Sequence, residues 1–254
     1  MSKIIHKITD TVRAITGKKD RIQPTTAIIV ASGSSTRMGE GVSKQMIMLD
    51  DIPVVARTIM AFDKSEYIDE IIVVAKEDEF YLYHEFQKLY KFSKLVRLVS
   101  GGSTRQESVR NGFMALSKGA KFVAIHDGAR CLVTEEQIEK VCLAAYKHNC
   151  ATAATRAVDS VKISNGKNLF IDSSANREHI WLAQTPQVFK REIYELALKK
   201  AENDKLAVTD DNSIVENLGC SIRLVECGRN NIKITTPDDV PLALAILRSR
   251  KEQV

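Results

Sequence analysis

The chain of 254 residues is expected to fold as a single α/β domain, a mostly parallel twisted sheet with helices on both faces. Three observations predict it. Short apolar runs of strand length alternate with amphipathic helical patterns. The first run opens into a loop of small residues, as strands do at the binding edge of such sheets. One later segment, residues 156–187, breaks the alternation and carries hairpin chemistry instead.

In order, residues 27–30 (AIIV) form a short unbroken apolar run, the mark of a strand buried on both faces. Further strands are expected at 70–74, 95–99, 122–126, 150–154 and 221–226. Helices are expected at 54–62, 77–89, 106–116, 135–148, 190–201, 210–218 and 240–248. Thr134 ahead of Glu135 and Glu136 signs one helix start, and Thr209 or Asp210 signs another. Within 156–187, residues 158–163 alternate, Asn165-Gly166 supplies a turn, 169–171 return, and 181–189 complete a β-arm. An inserted arm leaves strand edges that need cover. A second copy of the arm would supply it, which predicts a homodimer; packing on its own domain is the alternative.

Composition narrows the classes of function. Hydrophobic residues make up 44% and charged residues 27% of the chain, ordinary values for a globular protein. No apolar stretch reaches the roughly 20 residues of a membrane span. The net charge is +5, but residues 1–26 hold six Lys/Arg against two Asp, so the body is nearly neutral. The pI of 8.9 therefore gives little reason to expect nucleic-acid binding. Five cysteines without paired close spacing read neither as a disulfide framework nor as a zinc site. Residues 1–22 read as a basic extension ahead of the domain of 23–254. It lacks a secretory pattern, and its Asp10 and Asp20 argue against a plastid or other transit peptide, so a cytoplasmic location is expected.

The chemistry should sit beyond the carboxyl ends of the strands. Residues 31–36 carry no bulky side chain, so a ligand can lie against the main chain there, and Arg37 and Lys44 add two positive charges. That combination suits a polyphosphate. Neither the P-loop nor the dinucleotide glycine pattern fits, because the glycine spacing is wrong and Gln45 follows Lys44. Three other sets stand at strand ends: Gly101 to Arg105 with Ser108, His126 to Arg130, and Asn231 to Asp239. Asp127 reads as a helix cap, as a salt-bridge partner of Arg130, or as a carboxylate for Mg2+ or substrate hydroxyls. Lys233, flanked by Asn231, Thr235 and Thr236, reads as a phosphate ligand. Arg177 reads by default as a surface ion-pair residue, and His126 and His179 as structural.

With these motifs in this order, the chain resembles the 2-C-methyl-D-erythritol 4-phosphate cytidylyltransferases over residues 25 to about 250. The series is Ala31 to Met38 (ASGSSTRM), Lys44-Gln45, Gly101-Gly102 with Arg105 and Ser108, His126 to Arg130 (HDGAR), Asp159 to Lys162 (DSVK), Arg177 with Trp181 and Gln184 to Gln187, and Asn231 to Thr235 (NIKIT). The resemblance implies a Rossmann-like nucleotidyltransferase fold whose β-arm dimerises. It implies that the amides of Ala31, Ser32 and Gly33, with Arg37 and Lys44, hold the triphosphate of CTP, and that Gly102, Ser103 and Ser108 select cytosine. It further implies that Asp127, Arg130, Ser160 and Thr185 surround a polyol phosphate, that Lys233 holds its phosphate, and that Arg177 reaches that phosphate from a partner subunit. Mg2+ or another divalent cation is the implied cofactor, with Asp127 its ligand. Ser32, Ser35, Ser43 and Cys131 stand where the common pattern has Ala, Gly, Pro and Pro. The alternatives weighed are a cytidylyltransferase for ribitol 5-phosphate or another polyol phosphate, and a non-catalytic nucleotide-binding regulator.

Overall fold

The computed structural model describes residues 22–33, 43–166 and 169–252. Residues 1–21 of the basic extension lie outside them, as do Ser35 and Arg37. One seven-stranded sheet organises the chain. Its strands are β1 (Thr25–Val30), β4 (Glu70–Ala75), β5 (Leu95–Ser100), β6 (Phe122–Asp127), β7 (Cys150–Arg156), β10 (Trp181–Lys190) and β11 (Arg223–Glu226), in the spatial order β11-β7-β10-β6-β1-β4-β5. Every neighbouring pair is parallel except those made by β10, which runs antiparallel to both β6 and β7. Two small hairpins complete the strands, β2 (Met48–Leu49) with β3 (Ile52–Pro53) and β8 (Lys162–Ser164) with β9 (Ile171–Ser174).

Period-two burial explains the layering. Successive residues of β1 face opposite sides, Ala27 and Ile29 to one and Ile28 to the other. The first side carries helices α1 (Val54–Lys64), α2 (Phe80–Tyr90) and α4 (Glu135–His148). The second carries α3 (Arg105–Met114), α5 (Arg191–Asn203) and α6 (Asp211–Asn217). Each fully buried Ile or Val of the central strands contributes about 1.5–3 kcal/mol relative to exposure. Gly112 lets α3 come close: a Cβ there would stand 2.7 Å from Ile28 and 2.8 Å from Val74. Thr134 caps α4 through a full capping box with Gln137, and Asp210 caps α6 by accepting from the Ser213 N–H. A third cluster sets Ala243 of α7 (Asp239–Lys251) with Leu49, Val54, Cys131 and Ile234, which anchors the 231–235 segment beside β6.

The structure corrects one boundary. Residues 181–187 are not part of the projecting arm, because β10 pairs with β7 from Trp181↔Arg156 onward. Only 157–180 stand outside the main sheet. The β8–β9 hairpin is formed as expected, with Gly166 at a positive φ of 75° in its turn. Among the described residues, no helix is long and apolar enough to cross a membrane.

Candidate active site

The parallel strands β6, β1, β4 and β5 lie side by side, so the loops at their carboxyl ends converge. They enclose a cavity of about 410 Å3. Ser32 and Gly33 come from the end of β1, Lys76 from β4, Gly102 to Arg105 from β5, and Asp127 from β6. Lys44, in a 3-10 turn, and Lys233 reach in from neighbouring segments. Four cationic side chains and one carboxylate thus line the hollow. A larger hollow of about 650 Å3 lies between α4 and the ends of β7 and β11, with Glu136, Glu226, Arg156 and Arg229 in its wall. It sits at the carboxyl ends of β7 and β11, at one end of the sheet, and its charges are of both signs, with Arg156 Nε 3.6 Å from Glu226 Oε2. The smaller cavity, with four cations to one carboxylate, is the better active-site candidate.

Asp127 is the electrostatic centre. Lys233 Nζ stands 2.9 Å from Oδ2, Arg105 Nε 3.3 Å from Oδ1 and Arg130 Nε 3.5 Å from Oδ2. Burial pushes its pKa up, but Lys233, Arg105 and Arg130 outweigh that and hold the carboxyl well below the usual range. Arg105 also reaches the buried Asp211 at the start of α6, Nη1 to Oδ2 at 2.7 Å, and the Tyr194 hydroxyl donates to the same carboxylate at 2.5 Å. Behind Asp127, the Thr185 hydroxyl accepts the Asp127 N–H at 3.1 Å. It has one proton to give, which goes to His126 Nδ1 at 3.0 Å. His126 is therefore the Nε2–H tautomer and donates to the Arg130 carbonyl at 3.2 Å. Burial pushes the pKa of His126 down to about 3, so it stays neutral.

The β5 loop is tied internally. Ser108 Oγ accepts from the Gly102 N–H and the Ser32 hydroxyl, each at 3.0 Å, and donates to the Thr104 carbonyl at 2.8 Å. Glu107 accepts both the N–H and the hydroxyl of Ser103. Gly101 presses on Ser32, where a Cβ would meet Ser32 Cβ at 2.3 Å, so residue 101 cannot carry a side chain.

The sequence-derived residues therefore separate. Ser32, Gly33, Lys44, Gly102, Ser103, Ser108, Asp127 and Lys233 share the cavity. Arg130 and Thr185 stand behind Asp127 and outside the lining. The Ala31 amide is not a ligand donor: it extends the sheet ladder by donating to the Val74 carbonyl at 2.7 Å. Ser160 and Arg177 are exposed in the arm, and Arg177 Nη1 donates to the Val158 carbonyl at 2.8 Å. Arg37 falls outside the described residues. Lys76 and Asp211 were missed as site residues, although Lys76 stands one residue past a strand end, and Arg105 was named in its strand-end set without a role. As to a divalent cation, Asp127 is the one carboxylate among the described cavity residues. That set fits Mg2+ only as an ion shared with substrate phosphates, the usual mode for this metal.

Residues 25–249 match the family model for 2-C-methyl-D-erythritol 4-phosphate cytidylyltransferase, IspD. A protein of that name from Caldanaerobacter subterraneus subsp. tengcongensis is 41% identical over 224 residues, covering 87% of this chain and 98% of the relative. Another from Alkaliphilus oremlandii is 39% identical, covering 92% and 99%. The crystal structure of 4-diphosphocytidyl-2C-methyl-D-erythritol synthase from Anaerococcus prevotii superposes with a TM-score of 0.80 at 29% identity, covering 90% of this chain and 100% of that one.

Proposed function

The chain belongs to the 2-C-methyl-D-erythritol 4-phosphate cytidylyltransferase family, and from that premise we propose that it transfers CMP from CTP to 2-C-methyl-D-erythritol 4-phosphate, a step of isoprenoid-precursor synthesis. The observation that carries this reading is the convergence of Lys44, Lys76, Arg105 and Lys233 on one cavity at the carboxyl ends of four parallel strands. A triphosphate and a sugar phosphate together bring several negative charges, and this hollow is built to receive them.

In the reaction, a phosphate oxygen of the polyol phosphate attacks the α-phosphorus of CTP. The new P–O bond forms as the bond to the β-phosphate oxygen breaks, and pyrophosphate leaves. The attacking group is already ionised, so no strong general base is required. The protein's task is to align two anions and to neutralise charge that grows on the α-phosphate. Lys44 with Arg37 serves the triphosphate, and Gly33 lets it approach the main chain. Gly102, Ser103 and Ser108 wall the cytosine. Lys233 exchanges Asp127 for the substrate phosphate, and Arg130 and Thr185 keep Asp127 in place. Mg2+, held by Asp127 and the phosphates, would add further charge neutralisation.

The arm completes the proposal. Leu169 and Phe170 are 85% and 70% exposed at its tip, an apolar surface suited to a second copy of itself. Homodimerisation would carry Arg177 and Ser160, neither of which lines the cavity of its own chain, to the partner's substrate. Pyrophosphate release from CTP with 2-C-methyl-D-erythritol 4-phosphate tests the function, with ribitol 5-phosphate in parallel. Release with the first and not the second is expected; the reverse would overturn the substrate.

A further inference from the structure

Lys233 has two partners in the proposed reaction. It starts 2.9 Å from Asp127 Oδ2 and gives that contact up to hold the substrate phosphate. Arg130 Nε, 3.5 Å from the same oxygen, stays behind. A carboxylate that loses its shortest contact can turn about its side-chain bonds unless its other oxygen is held. Arg105 holds it: Nε reaches Asp127 Oδ1 at 3.3 Å.

Arg105 is itself fixed from behind. Thr104 caps α3 by accepting the Glu107 N–H at 3.0 Å, which sets the helix start that carries Arg105. Arg105 Nη1 donates to Asp211 Oδ2 at 2.7 Å. The Asp211 side chain is 1% exposed and lies outside the cavity lining. Asp211 is tied down in turn, because the Tyr194 hydroxyl donates to its Oδ1 at 2.5 Å and its own N–H donates to Gln187 Oε1 at 3.1 Å. A guanidinium serves two carboxylates through different edges of one rigid plane, which an ammonium on a flexible stem does not. Lys233 gives up one carboxylate to take a phosphate; Arg105 would have to give up two.

We propose that Arg105, held by Asp211, is a positioning residue for Asp127, fixing the carboxylate by Oδ1 while Lys233 leaves Oδ2 for the substrate phosphate. This rests on the cytidylyltransferase reading and assigns a cation of the cavity wall to a carboxylate instead of to a phosphate.

The test is pyrophosphate release from CTP and 2-C-methyl-D-erythritol 4-phosphate by the full chain carrying Arg105→Lys, Asp211→Asn, Asp127→Asn, or Arg105→Lys with Asp127→Asn. Arg105→Lys keeps a cation beside Asp211 and is expected to stay folded. In Arg105→Lys and in Asp211→Asn, kcat should fall about tenfold while the KM for CTP stays within about twofold. On the Asp127→Asn background, Arg105→Lys should cost less than about a further twofold, because the group it acts through is already gone. Effects that multiply in the double variant would overturn the proposal, since Arg105 would then act on substrate directly. A raised KM for CTP at unchanged kcat, or wild-type rates in Arg105→Lys, would overturn it as well. If Asp211→Asn does not fold, the cycle between Arg105 and Asp127 decides alone. No pyrophosphate release by the wild type with any polyol phosphate would overturn the cytidylyltransferase reading and this assignment with it; a failed cycle in an active wild type overturns the assignment alone.

Discussion

The cavity wall and the arm are opposite kinds of surface on one chain. Around Asp127, three cations share its carboxylate, and Thr185, His126 and the Arg130 carbonyl form a chain of hydrogen bonds. In the arm, by contrast, β8 and β9 are exposed along their whole length, and Ile163, Leu169, Phe170 and Ile171 face solvent. The contacts of the first region are made within a single polypeptide. The second offers apolar area that its own domain does not cover. The difference teaches that the satisfied polar network and the uncovered apolar area are kept in separate places, so the fold of each can be perturbed without unfolding the other.

The largest effect should come from the cavity. Lys44→Ala is expected to lower kcat by about 100- to 1,000-fold, roughly 3–4 kcal/mol of transition-state stabilisation, with an unchanged melting temperature. Near-normal pyrophosphate release from a folded variant would remove Lys44 from the mechanism. Mixing this variant with Arg177→Ala sharpens the contrast between the regions. If the arm serves a partner's cavity, each mixed dimer regains one working site, so two inactive proteins become active on subunit exchange. No recovery after exchange would place Arg177 in the service of its own chain or of none.

Asp127→Asn should cost about 3 kcal/mol of stability, because it strips partly buried cations of their shared partner; urea titration reads this directly. A smaller effect comes from His126. Folded His126 stays neutral down to about pH 3, while the unfolded chain protonates it near pH 6.5, so its contribution is complete above pH 6.5 and is lost as pH falls below that. Stability should drop by about 2 kcal/mol between pH 7 and pH 5, and His126→Gln should flatten that slope. Asp127 does not contaminate this window. Its pKa is depressed, so its contribution is fully present above about pH 4 and declines only below it. Smallest of all, Phe170→Ser should leave the unfolding free energy of the domain within about 0.5 kcal/mol while shifting the sedimentation profile toward monomer.

The two regions were also unequally legible. The strands β1, β4, β5 and β6 announce themselves because a doubly covered strand must be apolar on both faces. Strand β10 hides for the opposite reason. Gln184, Thr185 and Gln187 are buried polar residues, and Pro186 interrupts the run, all of which speak against a central strand. The fold accepts them because the register shifts between Ala183 and Gln187 and each polar group meets a specific partner, such as Gln184 with the Gly228 carbonyl. In the site, Lys44, Asp127 and Lys233 were readable from charge beside small residues or strand ends. Lys76 satisfies the same rule, one residue past Val73-Val74-Ala75, but it belongs to no conspicuous motif. Arg105 was visible in a motif, yet its partner Asp211 lies 106 residues away, a contact that spacing cannot supply.

One feature sets where this protein can change length. Strand β10 is ten residues of continuous chain that begins at the arm's root and ends deep in the sheet. Adding or deleting one residue within it would exchange its two faces and drag Thr185 away from His126 and Asp127. At the hairpin tip beyond Ser164 the same change only lengthens a loop. Insertions accumulated over generations should therefore collect at the outer end of the arm, leaving its stem fixed in length.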